Sequence, residues 1–380
     1  MTPLRILITV PSLAREFGGP AAKAQQLAAA LRAAGDDVIV VGAGEAPDGR
    51  SLGLPVVARF HTTPVPSSAG ALRRLVVGAD VVHVLGYRDP VGTLAARQAA
   101  RRGVPYVLEP VGMHEPRIRT LRLKRAFDRV FGDRVVGAAA VVVATSRLES
   151  DELVARGVTR DAIRLRPNGI DVASLVPLPA RGAFRSSQGI PDDVPLVLAL
   201  GRITMKKGLP FLAEAIGPLE GVWLALVGPQ ENDGTIADVQ AAARRVGAEG
   251  RVRIVERGAW GEEKAAAFAD ADAFALPSAT ENFGNAAAEA AALGVPVVVS
   301  DRCGVAEWLP PASSSVVPYA DVEPLRAAIE RLLTIEVRTA APQEADAIRQ
   351  ALSWDGIAAA QREIYLDVLA GRTARVSDDV

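Results

Sequence analysis

Residues 272–299 read DAFALPSATENFGNAAAEAAALGVPVVV. The run 272–276 is apolar after its first residue, 277–285 is a polar loop holding one glycine, 285–293 is alanine-rich, and Gly294 follows as a helix stop. A second aliphatic run, 295–299, closes the stretch. The order is strand, loop, helix, strand. Neither apolar run alternates with polar residues, so both suit strands covered on two faces, as in a parallel sheet. Parallel neighbours need a crossover, and the intervening helix supplies it. The stretch predicts an α/β fold.

The pattern extends in both directions. Upstream, aliphatic runs lie at 4–10, 37–42, 80–84, 104–109, 140–145 and 163–166, with an alanine-rich helix at 20–34. Pro20 suits a first helical position and Gly35 a stop. Residues 171–195, DVASLVPLPARGAFRSSQGIPDDVP, read as a proline-rich linker. Strands then restart at 196–200, 222–227, 252–255, 272–276 and 295–299. Helices follow near 208–216, 235–247, 262–270, 285–293, 322–333 and 354–370. The reading is two doubly wound, Rossmann-like domains, 1–175 and 190–354, facing a cleft. In such sheets ligands bind beyond the carboxyl ends of the strands, which places the chemistry on post-strand loops.

Composition bounds the function. The chain has 380 residues, 49% of them apolar and 23% charged, which supplies large cores and argues against disorder. A net charge of -1 argues against a nucleic-acid binder. Cys303 is the single cysteine, so no intrachain disulfide or cysteine-based zinc site forms. The three histidines, His61, His83 and His114, are far apart in sequence, so no metal is expected. No apolar run is long enough to cross a membrane, and the N-terminus reads as a first strand rather than a signal peptide. A cytoplasmic protein is expected. Segment 115–134 carries seven basic and three acidic residues, so peripheral contact with the inner membrane face is the alternative to a solvated helix.

Three post-strand loops carry candidate chemistry. Phe17-Gly18-Gly19-Pro20 precedes the first helix, where glycines let amides approach an anion. It is not the dinucleotide fingerprint, because the G-x-G-x-x-G spacing is missing. Residues 201–208, GRITMKKG, form a cationic lip suited to a diphosphate, with arginine binding as a planar fork and lysine as a point charge. Residues 277–285, PSATENFGN, bring Glu281 to the same sheet end as Glu289, with seven residues between them. Helix N-terminal amides suit phosphate or sugar oxygens, and a carboxylate suits vicinal hydroxyls. Two carboxylates also fit metal ligation or glycoside hydrolysis, but a hydrolase has no use for a phosphate lip. Asp270-Ala271-Asp272 precedes its strand and is discounted as a metal-diphosphate bridge.

Residues 277–298 resemble the glutamate, seven residues, glutamate signature of the retaining glycosyltransferases of family 4, which have the GT-B fold. The GRITMKKG loop, the GGP loop, Arg166-Pro167-Asn168-Gly169-Ile170-Asp171 and the closing Ser353-Trp354 fit the same family in the same order. The resemblance implies a retaining, metal-independent transfer from a nucleotide diphosphate sugar, a UDP-sugar by expectation, to an acceptor hydroxyl. No cofactor is implied beyond that co-substrate. Arg202 and Lys207 would bind the diphosphate, Glu289 the ribose, and Glu281 the donor sugar. Asn282, Phe283, Gly284 and Asn285 would contact sugar or phosphate, Gly18 and Gly19 the donor from the first domain, and Arg257 with Gly258 the base. His114 would lie beside the transferred sugar. The first domain would hold a small-molecule, saccharide or lipid-linked acceptor, with His83, Tyr87, Glu109 and Met113 as candidates. The last helix, 355–375, would pack back on that domain. Two other readings stay open: a GT-B nucleotide-sugar epimerase or phosphorylase, and a two-domain sugar-binding protein.

Overall fold

The computed structural model describes residues 2–14, 19–45, 47–54, 56–60, 63–66, 69–112, 127–128, 132–259 and 261–372. The chain divides into two compact units, Met1–Gly169 with Trp354–Val380, and Ile170–Ser353.

In the first unit, β1 (Arg5–Ser12), β2 (Asp37–Ala43) and β3 (Ser51–Leu54) join β6 (Val81–Leu85), β7 (Tyr106–Glu109), β8 (Val141–Ala144) and β9 (Ile163–Leu165) in one parallel sheet. The order is β3-β2-β1-β6-β7-β8-β9. A separate two-stranded ribbon holds β4 (Val56–Phe60) and β5 (Thr63–Pro66). In the second unit, β10 (Leu196–Leu200), β11 (Trp223–Val227), β12 (Val252–Val255), β13 (Ala273–Leu276), β14 (Val297–Ser300) and β15 (Ser314–Val317) form a parallel sheet ordered β12-β11-β10-β13-β14-β15.

Unbroken aliphatic runs become doubly covered strands because side chains alternate between faces. Along β10, Leu196 and Leu198 enter one core and Val197 and Ala199 the other. Along β8, Val142 and Ala144 face one core and Val141 and Val143 the opposite one. The last helix, Trp354–Leu369, lays Ala358, Ile364, Tyr365 and Val368 on this second core of the first unit.

The strand order reverses between β1 and β6, and between β10 and β13. Crevices open at such switch points. In the second unit the loops after β10 and β13 are 201–208 and 277–284, the two that carry the strongest sequence motifs.

Some elements escaped the sequence reading. β3 and β15 are short edge strands with half-buried faces, SLGL and SSVV, and lack the aliphatic run of a central strand. The helix Ile335–Ala351 was hidden by Pro342 in its interior. Its buried Val337, Ala341, Ala345 and Ile348 nonetheless keep helical spacing. Segment 171–195 is more than a linker. It contains the helix Ala183–Gln188, whose Phe184 and Arg185 are buried. Arg185 bonds Asp272 Oδ2 at 2.7 Å, and its amide donates to Asp270 Oδ2 at 2.8 Å. Residues 170–189 therefore belong with the second unit.

The chain leaves and re-enters the first unit at one place. A Cβ at Gly169 would overlap the Trp354 indole. The Ile170 amide donates to the Leu352 carbonyl at 2.9 Å.

Candidate active site

The second unit builds its site on three pieces. Loop 201–208 is fixed from below by Asp233, which accepts from Thr204 Oγ1 at 2.7 Å and from the Met205 amide at 2.9 Å. It is fixed from the side by the Ala279 amide, which donates to the Lys206 carbonyl at 2.7 Å. Gly208 has φ +65°, and a Cβ there would overlap the Pro277 carbonyl, so the two loops approach only through glycine. Gly201, at φ +142°, lies under the Lys207 side chain, with its Cβ position 3.8 Å from Lys207 Nζ.

Lys207 Nζ bonds Glu281 Oε2 at 2.5 Å, and the pair is largely enclosed. Burial would raise the Glu281 carboxyl, but Lys207, Lys206 and Arg202 hold it below its ordinary value. Glu281 is placed by its own backbone: its amide donates to the Arg302 carbonyl at 3.0 Å, and its carbonyl accepts from Gly304 at 3.0 Å. Arg202 is exposed and pairs with Glu231.

Beyond Glu281, Gly284 caps the helix Asn285–Ala292 with φ +109° and no side-chain hydrogen bond. The Ala287 and Ala288 amides donate to the Gly284 carbonyl at 3.0 and 3.1 Å, and the helix dipole leaves this end positive. Phe283 is buried in the core, and its carbonyl accepts from the Val305 amide at 2.7 Å. Asn282 is half-buried and Asn285 exposed. Glu289 stands in the same helix, with Oε2 2.6 Å from Lys264 Nζ. Burial raises its carboxyl, Lys264 opposes that shift, and Asp171 adds to it. Arg257 is exposed and paired with Glu263, with Gly258 half-buried beside it.

The first unit corrects the acceptor expectation. His83 and Glu109 are fully enclosed rather than open to a ligand. Glu109 takes Lys23 on one oxygen and Arg166 on the other, and Lys23 also bonds Asn168. His83 Nε2 lies 3.2 Å from Glu109 Oε2, and its Nδ1 is 2.6 Å from the Tyr365 hydroxyl. Burial lowers Lys23 to about 8 against the pull of Glu109, and burial lowers His83, which is therefore neutral at pH 7. Tyr87 is also buried, under the Arg88 guanidinium at 4.7 Å and edge-on to Phe127. Lys23, His83, Glu109, Arg166, Asn168 and Tyr365 tie β6, β7, the first helix, segment 166–168 and the last helix together, and their side chains are enclosed. Gly19 opens the first helix and is exposed. Gly18, Met113 and His114 lie outside the described residues, as does most of segment 115–134. Of that segment, Asp128 points inward and pairs with Arg88 at 2.6 Å.

Two family profiles match the chain: a glycosyl transferase 4-like domain over residues 18–169 and glycosyl transferases group 1 over residues 194–334. The chain belongs to the group 1, family 4 glycosyltransferases. It is 31% identical over 305 residues to a GDP-mannose-dependent alpha-(1-6)-phosphatidylinositol monomannoside mannosyltransferase of Mycolicibacterium smegmatis, covering 75% of this chain and 76% of that one. It is 33% identical over 261 residues to a D-inositol 3-phosphate glycosyltransferase of Xylanimonas cellulosilytica. That match covers 65% of this chain and spans 62% of the relative's length. Among solved structures, sucrose-phosphate synthase from Thermosynechococcus elongatus superposes with a TM-score of 0.73 at 21% identity, covering 97% of this chain and all of that one. Anabaena HepE in complex with UDP and glucose gives 0.74 at 18% identity, covering 96% and 100%. The fold is GT-B.

Within this glycosyltransferase, sequence reasoning missed Asp233 and Lys264. Asp233 lies in a polar turn, ENDGT, with the look of any Asx turn. Lys264 lies in EEKAAA, which reads as a solvated helix start. Among the described residues no three His, Cys, Asp or Glu side chains converge as a metal site, and no helix is long and apolar enough to cross a membrane.

Proposed function

We propose that this glycosyltransferase moves a sugar from a nucleoside diphosphate sugar, with UDP as the carrier, to an acceptor hydroxyl, with retention at the anomeric carbon and no metal. The observation that carries the reading is the Lys207–Glu281 pair, which joins the cationic loop to the loop leading into the helix Asn285–Ala292. Lys207 has an anionic partner in the free protein. An arriving diphosphate replaces Glu281 as that partner, and the freed carboxylate takes up sugar hydroxyls. Arg202, Lys207 and the helix amides then stabilise the negative charge that grows on the leaving diphosphate, the largest electrostatic demand of the reaction. The bond from the anomeric carbon to the phosphate oxygen breaks as the acceptor oxygen bonds on the same face. The acceptor proton passes to the leaving phosphate oxygen. The cationic loop takes the part a divalent ion plays elsewhere.

The test is a thermal-shift screen of UDP-, GDP- and ADP-sugars, since a ligand that binds only the folded state stabilises it. Transfer is then assayed with D-inositol 3-phosphate among the acceptors, an inference from the relatives' names. Product NMR is expected to show the donor's anomeric configuration, with full rate in excess chelator. An inverted product rejects retention, strict dependence on added Mg2+ or Mn2+ rejects the metal-free reading, and stabilisation by a GDP-sugar alone reassigns the base.

A further inference from the structure

Lys264 lies in the first turn of the helix Glu262–Asp270, which follows the loop after β12. A cation there opposes the positive end of the helix dipole, so local preference does not explain it. Its Nζ is 6.0 Å from the Phe268 ring centroid and 2.6 Å from Glu289 Oε2. Both charged side chains are largely enclosed, at 18% and 12% exposure. Glu289 is carried by NAAAEAAA, where alanines flank it on both sides and no second charge on that helix shares its field. From the other elements around it, Lys264 opposes its charge and Asp171 repels it.

We infer that Lys264 is a positioning residue for nucleoside recognition, holding Glu289 as an oriented, ionised acceptor for the ribose hydroxyls. The inference rests on the ribose-binding reading of Glu289. A carboxylate offers about four lone-pair sites, so one bond to Lys264 leaves capacity for two hydroxyl donors. A protonated carboxyl gives up part of that capacity and presents a donor instead. Lys264 also ties Glu289 to the helix that starts just past Arg257 and Gly258, so one contact sets the spacing between the base-reading loop and the ribose carboxylate. Burial already favours the protonated form of Glu289, and loss of the ammonium extends that preference to higher pH.

Lys264→Met keeps the apolar stem over Phe268, and Lys264→Arg keeps the charge. Dissociation constants of UDP and GDP, each beside its 2′,3′-dideoxy counterpart, are measured by calorimetry on the full chain from about pH 5.5 to about 8.5. Lys264→Met is expected to weaken ribonucleotide binding about tenfold at the acid end, one pKa unit's worth, with the gap closing at the alkaline end. The dideoxy compounds are expected to show no such change, and Lys264→Arg to restore the parent profile. Unchanged ribonucleotide affinity, or an equal loss at every pH and for the dideoxy compounds, overturns the inference. Far-UV circular dichroism melts confirm folding, and Lys264→Gln, which also removes the charge, takes the place of Lys264→Met in the same titration if Lys264→Met unfolds. Glu289→Ala separates the two levels: if it leaves the preference for ribo over dideoxy compounds intact, the reading of Glu289 itself fails.

Discussion

At the scale of single residues, the site depends on where one side chain is present and another is absent. Lys207 is held 2.5 Å from Glu281, and in the proposed reaction a diphosphate displaces that carboxylate. Lys207→Ala is expected to lower kcat/KM for transfer by about 10² to 10³, the loss seen when one preorganised group facing a developing anion is removed. Its melting temperature should fall as well, because the pair is largely enclosed and the change leaves Glu281 without its bonded cation; steady-state kinetics with a thermal melt check both. Gly208 is the complementary case. Gly208→Ala puts a Cβ against the Pro277 carbonyl at φ +65° and is expected to cost about 2 kcal/mol or more, read by urea denaturation, and to weaken donor binding with it. Residue types on post-strand loops singled out Arg202, Lys207, Glu281 and Glu289, and the structure places Lys207 against Glu281 and Glu289 against Lys264. The same logic misread His83 and Glu109. A polar residue at a strand's end looks alike whether it faces a ligand or a buried partner, and Lys23 and Arg166 are remote in sequence. Lys264 was illegible for the opposite reason, since its partner Glu289 lies on another helix.

At the scale of elements, central strands were legible because two-sided burial demands an unbroken aliphatic run. The edge strands β3 and β15 and the proline-bearing helix Ile335–Ala351 were not, because their apolar signal is halved or interrupted. Caps tell more than runs do. The helix Pro90–Arg102 begins on Asp89, whose carboxylate accepts from the Gly92 amide at 2.7 Å while buried. Burial raises the Asp89 carboxyl from 3.8 to about 6. The folded state then binds the proton more tightly than the unfolded chain, so this group's contribution is full below about pH 4 and is lost as pH rises through about 6. Asp89→Asn keeps an N-cap acceptor without a buried charge. It is expected to flatten the fall in stability between those pH values, whereas Asp89→Ala costs about 1 kcal/mol throughout. Denaturation curves at several pH values decide between these outcomes.

At the scale of the whole molecule, the last helix is a long-range part of the first unit. Arg362 places Nε 3.0 Å from Asp36 Oδ2, with Asp36 almost fully enclosed, and Tyr365 reaches His83. Arg362→Ala leaves a buried carboxylate without its cation and is expected to destabilise the chain by about 3–5 kcal/mol. Nucleotide affinity should hold, because the proposed nucleotide contacts lie in Ile170–Ser353; calorimetric melts and UDP titration of the same sample measure both. The adjoining ends at Gly169 and Trp354 carry a further consequence. While Ile170–Ser353 is folded, it serves the last helix as a short leash. When it unfolds, the leash becomes a long floppy loop, and re-docking the helix costs roughly 4–5 kcal/mol of closure entropy. The coupling is reciprocal: unfolding either unit weakens the other by that amount, and a nucleotide bound to the second unit stabilises both.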